Sequence, residues 1–310
     1  MAVTDPTSSA RSQQSPFSLK NEDGYKRWRD GKLQNYPSRL EELLVELDNP
    51  YALSRNEHGA MLSRVRKCNF VIYECMSARE DKDAARAVGQ AFGLQRLDPN
   101  LLADDDGITS LTVVPGKSLR GYIPYTDKRI LWHTDGYYNP PERQIRAMLL
   151  HCATPAATGG ENGLMDHEIA YLLIREHNPD FIRALMAQDI MTIPENTETG
   201  PEQLRPAQTG PVFSIDPQSG ALHMRYTART RSIEWKQDEL TQEAVRFLET
   251  VLAGTFGYIF RHRLSSGQGL LCNNVLHSRT AFTDDPDTGS QRLLFRARYY
   301  DRIQGTEPVY

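Results

Sequence analysis

The sequence predicts an α+β fold with a mainly β core of jelly-roll type and flanking helices. Strand-like runs broken by Gly and Pro recur over residues 109–135, 190–235 and 257–300. Helical patterns lie between these regions, and many short strands with interposed helices favour a closed or double-sheet β architecture. Because no internal repeat and no linker divides the chain, we expect a single domain over residues 17–310.

Composition excludes several classes of protein. The chain has 310 residues, with 36 Lys and Arg against 40 Asp and Glu, and a formal net charge of −4. Charges of both signs are interleaved, so no basic stripe predicts a nucleic-acid partner. No apolar run approaches the roughly 18–20 residues of a membrane span, and the N-terminus has no hydrophobic signal-peptide region. We expect a cytoplasmic protein without a membrane partner; a homo-oligomer remains open.

The four cysteines are far apart and form no CxxC pair, so neither a zinc ribbon nor a disulfide scaffold is indicated. They are predicted to be buried free thiols. Their positions are Cys68, Cys75, Cys152 and Cys272.

The N-terminal part of the chain predicts a tail followed by helices. Residues 1–16 are rich in Ser, Thr and Gln, which indicates a disordered tail. Residues 17–67 form the predicted helical portion of the domain. In this portion leucines recur at helical spacings of three and four, at Leu40, Leu43, Leu44 and Leu47.

Residues 68–310 form the predicted β core with helical insertions. The apolar run at residues 69–76 predicts a strand. The segment after it predicts a helix with Ser77 as N-cap and Gly93 beyond its end. An N-cap Asp indicates a helix at residues 166–177 and another at residues 238–252. An initial Pro indicates a third helix that starts near Pro179.

A His and an Asp stand two residues apart in the segment WHTDG. On a strand, His133 and Asp135 would project from the same face with Cα atoms about 6.6 Å apart, close enough to reach one ion. An imidazole and a carboxylate suit a divalent metal, and one further His would complete the facial triad typical of iron(II) oxygenases. Alone, such a tripeptide is more often a surface His and a solvated Asp.

Arginines alternate with apolar residues near the C-terminus. In residues 291–300, one face of a strand would carry Arg292, Leu294, Arg296 and Arg298. One interpretation is a half-buried strand whose arginines face water. The other is a cavity in which the guanidinium groups bind an anion, since they pair with carboxylates through two hydrogen bonds.

Four segments together resemble one known family. They are WHTDG at 132–136, TGGENGLMD at 158–166, NNVLHSR at 273–279 and QRLLFRAR at 291–298. In order and spacing, over about residues 122–300, they are similar to the taurine dioxygenase and 2,4-dichlorophenoxyacetate dioxygenase family. The resemblance implies a double-stranded β-helix core and the use of iron(II), 2-oxoglutarate and O2.

The resemblance also implies roles for individual residues. His133, Asp135 and His277 match the metal ligands of the family. Arg292, 15 residues beyond the second His, matches the arginine that binds the distal carboxylate of 2-oxoglutarate. Arg296 matches a second active-site arginine, near the other end of the co-substrate or near an anionic substrate.

One position departs from the family pattern. The family usually places a Thr or Ser hydroxyl against the distal carboxylate, whereas Asn162 stands there in this chain. An Asn amide can donate the same hydrogen bond, and Thr158 is an alternative donor. Retention of Asp135 favours oxygenation, because halogenating relatives replace this carboxylate with a small residue.

Candidate substrate-binding residues follow from position. Tyr137, Tyr138 and Asn139 come directly after the predicted metal strand, where loop residues often line a pocket, although turn packing explains them nearly as well. Arg225 begins a basic, aromatic stretch that ends at Arg231. This stretch could face an acidic substrate, but a solvated edge strand is the commoner meaning of such charges.

The predicted function is that of an iron(II)- and 2-oxoglutarate-dependent dioxygenase. It would hydroxylate or oxidatively cleave a small, anionic organic acid and release succinate and CO2. A zinc hydrolase on the same ligands is an alternative, but it lacks an HExxH motif and leaves the paired arginines unexplained. A non-catalytic jelly-roll protein that binds a small molecule is the other alternative. The sequence leaves open the substrate and the choice among hydroxylation, desaturation and cleavage.

Overall fold

A computed structural model describes residues 11–99, 104, 106–113, 123–196, 205–285, 287 and 291–308 of the chain. The helices are α1 Glu22–Leu33, α2 Arg55–Cys68, α3 Lys82–Ala91, α4 His167–His177, α5 Pro179–Leu185 and α6 Glu239–Leu252. The strands in roughly the first half of the chain are β1 Leu44–Glu46, β2 Phe70–Glu74, β3 Thr109–Leu111, β4 Ile130–His133, β5 Ala147–Thr154, β6 Thr158–Gly159 and β7 Asn162–Met165. The later strands are β8 Met191–Ile193, β9 Gln208–Gly210, β10 Phe213–Ile215, β11 Leu222–Met224, β12 Glu234–Trp235, β13 Phe260–His262, β14 Gln268–Cys272, β15 Leu276–Arg279, β16 Phe282–Thr283 and β17 Leu293–Tyr299.

Two larger sheets form the β core. One has six strands in the order β1-β2-β14-β5-β17-β3, and the other has four in the order β13-β7-β15-β4. All neighbouring pairs are antiparallel except β1 with β2. Met148 and Leu270 of the large sheet share one buried cluster with Leu164 and Phe260 of the small sheet. The apolar core therefore lies between two antiparallel sheets, which confirms the predicted jelly roll with flanking helices.

Helices cover the outer faces of both sheets. Val65 of α2 and Val88 of α3 are buried in one cluster with Leu149 and Leu271 of the large sheet. These leucines alternate along their strands with the residues that face the other sheet, as the two-residue period of a strand requires. A further cluster joins α4, α5 and α6 to the short strands β8, β10 and β11.

The predicted helix through the leucine-rich segment is wrong. Leu40–Leu43 form one turn of 3-10 helix, and the next three residues form β1, which pairs in parallel with β2. The Leu47 amide continues this pairing by donating to Glu74 O at 2.8 Å. Strand pairing along the edge of β2 satisfies backbone groups that a helix would have satisfied internally, and the tertiary contact overrides the local periodicity. The N-terminal portion is thus not helical throughout.

The helix after β2 also begins later than predicted. Ser77 lies in a short 3-10 turn, and Asp81 is the N-cap of α3. Its Oδ1 accepts hydrogen bonds from Asp83 N at 3.0 Å and Ala84 N at 3.2 Å. One carboxylate oxygen therefore satisfies two amides of the first turn, which favours this start over the serine.

The predicted tail is anchored at its C-terminal end. Residues 1–10 lie outside the described residues, whereas Ser15 is fully buried and its hydroxyl donates to Gly220 O at 2.8 Å. Phe17 packs edge-on against Trp28 and Tyr171. The chain is therefore fixed to the domain from Ser15 onwards.

Several other sequence predictions about local structure are confirmed, whereas the parts of the predicted strand regions at residues 114–122, 197–204, 286 and 288–290 lie outside the described residues. Asp166 and Asp238 cap α4 and α6, and Pro179 opens α5. All four cysteines are buried and free. Of the helices in the described ranges, none has the length and apolar character needed to cross a membrane.

A buried ion cluster joins α1 to the start of α4. Lys32 Nζ lies 2.6 Å from Asp166 Oδ2 and 2.7 Å from Glu168 Oε2, and the lysine side chain is 3% exposed. Burial alone would lower the pKa of Lys32, but the two carboxylates outweigh it and raise this pKa. The cluster therefore stays charged, and each member depends on the others.

We predict that Lys32→Met lowers the free energy of unfolding by about 3–5 kcal/mol, because it leaves two buried carboxylates without their cation. Lys26→Met is the matched control, since Lys26 and Glu22 form an exposed pair at 3.7 Å. Such a pair contributes less than about 1 kcal/mol. Urea denaturation of both variants measures the difference. Equal losses would show that the buried cluster adds no more than a surface pair.

Candidate metal centre and anion site

Two histidines meet across the pairing of β4 with β15. His133 ends β4 and His277 lies in β15, and their Cα atoms are directly opposite in the antiparallel register. The centroids of the two imidazole rings are 4.1 Å apart. Residues 144 positions apart in sequence are thus neighbours because two short strands pair in one register.

Backbone carbonyls orient both rings in the same way. His133 Nδ1 lies 2.9 Å from Leu131 O, and His277 Nδ1 lies 2.9 Å from Val275 O. Because a carbonyl can only accept, Nδ1 carries the proton and Nε2 keeps its lone pair. Such a contact at the second nitrogen is typical of histidines that bind a metal.

Asp135 completes the group, although it does not lie on the strand as predicted. The strand β4 ends at His133, and Asp135 opens a turn. Asp135 Oδ1 lies 3.7 Å from His133 Nε2 and 3.9 Å from His277 Nε2. The turn requires the left-handed Gly136 at φ 67°, where a Cβ would lie 2.4 Å from Ile145 Cγ1. The turn therefore brings the carboxylate back towards both imidazoles.

The charge state of the group suits a metal. Burial alone would raise the pKa of Asp135, but the positive charges of Arg296 and Arg298 hold this pKa well below its usual value. Burial, followed by the neighbouring His133, lowers the pKa of His277 to about 4. At neutral pH the group therefore offers a carboxylate together with the imidazole lone pair of His277.

A divalent metal ion fits this arrangement. One donor atom from each of the three residues lies within 4.8 Å of the others. Asp135 Oδ1 faces both imidazole Nε2 atoms but lies beyond hydrogen-bond distance of each, at 3.7 and 3.9 Å. A cation bound between these atoms would give the buried carboxylate a partner. Two imidazoles and one carboxylate form the donor set that leaves positions open on iron(II).

A cavity beside β17 is lined by a buried arginine that has no counter-ion within the described part of the chain. Arg292 stands directly before β17, is 5% exposed, and lies over the ring of Phe282 at 4.9 Å. Burial lowers its pKa to about 10, so it remains charged at neutral pH. Among the described residues, no ion pair joins its guanidinium to a carboxylate. A buried cation in this state is a ready site for an anion.

Asn162 lines the same cavity as Arg292. The side chain is largely buried, and one amide proton is used in a 3.3 Å hydrogen bond to His262 O, which leaves the second for a ligand. Thr158, the alternative donor, is exposed on β6 opposite Thr283. The geometry therefore favours Asn162 as the partner of Arg292.

The arginine face of β17 points into the protein and not into water. Arg296 is 9% exposed, and its Nη1 lies 3.6 Å from Asp135 Oδ2. Arg296 thus lies at the group of His133, Asp135 and His277, whereas Arg292 lies in the cavity that Asn162 also lines. The two guanidinium groups are available to two different anions.

Arg298 has a role that the sequence did not reveal. Its guanidinium contacts the carboxylate of the buried Asp98 and donates to Tyr138 OH at 3.0 Å. Tyr300 OH also donates to Asp98, at 2.5 Å. This network fixes the ring of Tyr138, which belongs to the turn that begins at Asp135. A partner 200 positions away gives no signal in the local pattern.

The other predicted substrate-binding residues divide into two groups. Tyr137 packs edge-on against Tyr138 at 5.2 Å, so both rings belong to the turn beside the metal group. Asn139 holds that turn, since its Nδ2 donates to Arg143 O at 2.9 Å. None of the described hydrogen bonds of the Arg225 side chain reaches His133, Asp135 or His277. Its guanidinium donates to the carbonyls of Met191 at 2.8 Å, Gly210 at 3.1 Å and Gln208 at 3.3 Å.

Comparison with known proteins adds an independent finding. The model of the taurine catabolism dioxygenase TauD, TfdA family matches residues 36–298. A uridine-5'-phosphate dioxygenase from Amycolatopsis sp is 30% identical over 175 residues, which are 54% of this chain and 60% of that relative. The chain therefore spans less than two thirds of this relative's length. One from Streptomyces sp is 29% identical over 225 residues, or 68% of this chain and 76% of that relative.

Solved structures share the fold. An asparagine oxygenase in complex with Fe(II), 3-hydroxyasparagine and succinate superposes with a TM-score of 0.58 at 16% identity, covering 83% of this chain and 93% of the other. A taurine dioxygenase from Burkholderia xenovorans gives a TM-score of 0.53 at 16% identity, covering 83% and 86%. At these identities the likeness shows a common fold.

We predict that His277→Ala lowers the affinity for iron(II) by more than about 100-fold, because loss of a ligand costs more than loss of a partner that orients one. His177→Ala is the control, since this histidine stacks on Phe247 at 3.9 Å at the end of α4. Anaerobic titration of the metal-free proteins measures both affinities. Unchanged iron binding in His277→Ala would remove this residue from the metal centre.

Proposed function

We propose that this chain, which belongs to the TauD and TfdA family of dioxygenases, oxidises a small anionic molecule with iron(II), 2-oxoglutarate and O2. One observation carries the proposal: a His, Asp and His group occurs in the family's jelly roll together with a buried arginine that forms no ion pair within the described residues. The group has the donor set for iron(II), and the arginine has the chemistry to bind a carboxylate.

His133, Asp135 and His277 would hold the iron, which together with 2-oxoglutarate supplies the power to oxidise a C–H bond with O2. The overall reaction joins substrate, 2-oxoglutarate and O2, and it gives hydroxylated substrate, succinate and CO2. The protein binds and orients the reactants and keeps bulk water away. The buried positions of Asp135 and Arg292 support this role.

Arg292 and Asn162 would bind the distal carboxylate of 2-oxoglutarate. The guanidinium can offer two parallel hydrogen bonds, and the free amide proton of Asn162 can offer a third. Both side chains line one cavity, and the buried charge of Arg292 would be neutralised by the carboxylate. Without such a partner, burial of the co-substrate carboxylate would cost several kcal/mol.

Arg296 would bind an anionic group of the substrate. Its guanidinium lies at the metal-binding carboxylate, so an anion that reaches it is held beside the iron. The names of the two uridine-5'-phosphate dioxygenases make a nucleoside phosphate the first substrate to test. Tyr137 and Tyr138 support this choice, because their rings lie in the turn beside the triad and could pack against a base.

The proposal includes a location and a domain organisation. We place the enzyme in the cytoplasm and treat residues 17–310 as one domain. The absence of a membrane-crossing helix from the described residues is compatible with this location. Buried clusters that join the N-terminal helices to the sheets support the single domain.

We predict that Arg292→Lys raises the concentration of 2-oxoglutarate needed for half-saturation by about ten-fold or more, because lysine keeps the charge but loses the two-pronged contact. The visible charge-transfer band of the anaerobic iron(II) protein measures this saturation. Arg261→Lys is the control, since Arg261 is exposed on the neighbouring β13. If Arg292→Lys saturates like the parent protein, Arg292 does not bind the co-substrate.

We also predict that acids release succinate in an O2-dependent reaction more efficiently than their uncharged analogues do. The panel contains nucleoside 5'-phosphates, small carboxylates and sulfonates, and the neutral esters or amides of each. Arg296→Gln should reduce this preference by about ten-fold or more, whereas Arg261→Gln should not. Equal turnover of acids and neutral analogues, or an unchanged preference in Arg296→Gln, would contradict the role of Arg296.

A further inference from the structure

We propose that Asn274 positions the metal-binding Asp135, and that it does so through the backbone of that residue. The proposal rests on the metal centre of the proposed function and adds to it a residue outside the ligand set. Asn274 is 3% exposed and lies in the turn between β14 and β15. Its side chain contacts the peptide groups on both sides of Asp135 and reaches the segment before β5.

The strand that carries His133 loses its backbone partner just before Asp135. Ala228 N donates to Trp132 O at 2.8 Å, and Thr134 N donates to Tyr226 O at 3.0 Å. The next amide, that of Asp135, donates instead to Asn274 Oδ1 at 2.8 Å. A side chain therefore takes over from strand pairing at the residue whose carboxylate must be placed.

The amide group of Asn274 uses both of its protons as well. Nδ2 donates to Asp135 O at 2.9 Å and to Ile145 O at 2.7 Å. The Asp135 peptide is thus held at its N–H and its C=O by one planar group. Its carboxylate can swing about the side-chain bonds, but its Cα position is fixed relative to Asn274.

The same turn also sets His277. Asn274 adopts a left-handed conformation with φ 48°, which asparagine tolerates better than most residues. The carbonyl of the next residue, Val275, is the one that orients the His277 ring. Asn274 therefore links the backbone of Asp135 to the segment that orients His277, and it couples two of the three ligands.

Neighbouring residues do not duplicate this contact. Asn273 faces the other way, and its Nδ2 donates to Asn69 Oδ1 at 3.0 Å and to Thr306 Oγ1 at 3.1 Å. Arg296 approaches the carboxylate of Asp135 at 3.6 Å, beyond hydrogen-bond distance. Among the described hydrogen bonds, those of Asn274 are the ones that hold the Asp135 peptide.

The test compares Asn274→Gly with Asn69→Gly. Glycine adopts φ above 0° without strain, so each substitution removes side-chain contacts and keeps the backbone shape. Asn69 is a matched control: it is 2% exposed, has φ 60°, and contacts the same turn through Asn273. A merely structural role predicts the same effect on iron in both variants.

We expect both variants to lose stability in urea and only Asn274→Gly to lose iron(II) affinity, by about 10–100-fold in anaerobic titration. In Asn274→Asp, Oδ1 can still accept from Asp135 N, but both donated bonds are lost and the second oxygen faces the carbonyls of Asp135 and Ile145, so its iron affinity should also fall below that of the parent. If Asn274→Gly does not fold, a loss of affinity in Asn274→Asp beyond that in Asn69→Gly is the supporting result.

The results that would overturn the positioning role differ from the result that would overturn the proposed function. Iron affinity in Asn274→Gly equal to that of the parent, or an equal loss in Asn69→Gly, would overturn the positioning role; so would unchanged affinity in Asn274→Asp if Asn274→Gly does not fold. Failure of the parent protein to bind iron(II) would overturn the proposed function itself.

Discussion

The antiparallel pairing of β4 with β15 is the constraint on which the site depends. It places His133 opposite His277, so one register decides whether two imidazoles meet. A shift by one residue would send each side chain to the other face of its strand. Pairing of β7 with the other edge of β15 adds a second constraint on that register. The metal centre is therefore a consequence of how the small sheet is assembled.

Buried arginines need partners that compensate for the loss of water around their charge. Arg298 is matched by Asp98, and Arg279 donates to the carbonyls of Thr126 at 2.7 Å and Lys128 at 2.5 Å. Burial lowers the pKa of Arg279 to about 9, because a position away from water disfavours the charged form. The Arg292 guanidinium has neither type of partner among the described ion pairs and hydrogen bonds. The fold tolerates this residue at a cost in stability that a bound anion would offset.

Local patterns predicted the parts of the site that depend on short spacings. His133 and Asp135 meet as predicted even though the strand ends between them, because the turn at Gly136 returns the carboxylate to the same place. The sequence predicted that the alternating arginines of β17 share one face, but it left open whether that face meets water or a cavity. The burial of these arginines shows that the face points into the protein. The contacts of Asn274 and Arg298 could not be predicted, because their partners lie 139 and 200 positions away. The strand β1 was missed because an edge of β2, and not local periodicity, determines its conformation.

The count of buried charges bears on the substrate. Among the groups proposed to contact iron, co-substrate and substrate, Asp135 carries one negative charge and Arg292 and Arg296 carry two positive ones, while the charge of Arg298 is matched by Asp98. Imidazoles that bind a metal through a lone pair add no charge. Iron(II) would raise the excess to three positive charges, and doubly charged 2-oxoglutarate would reduce it to one. A neutral substrate would leave that charge buried and uncompensated, whereas an acid or a phosphate would neutralise it next to Arg296. This charge balance supports the proposal that the substrate is an anion.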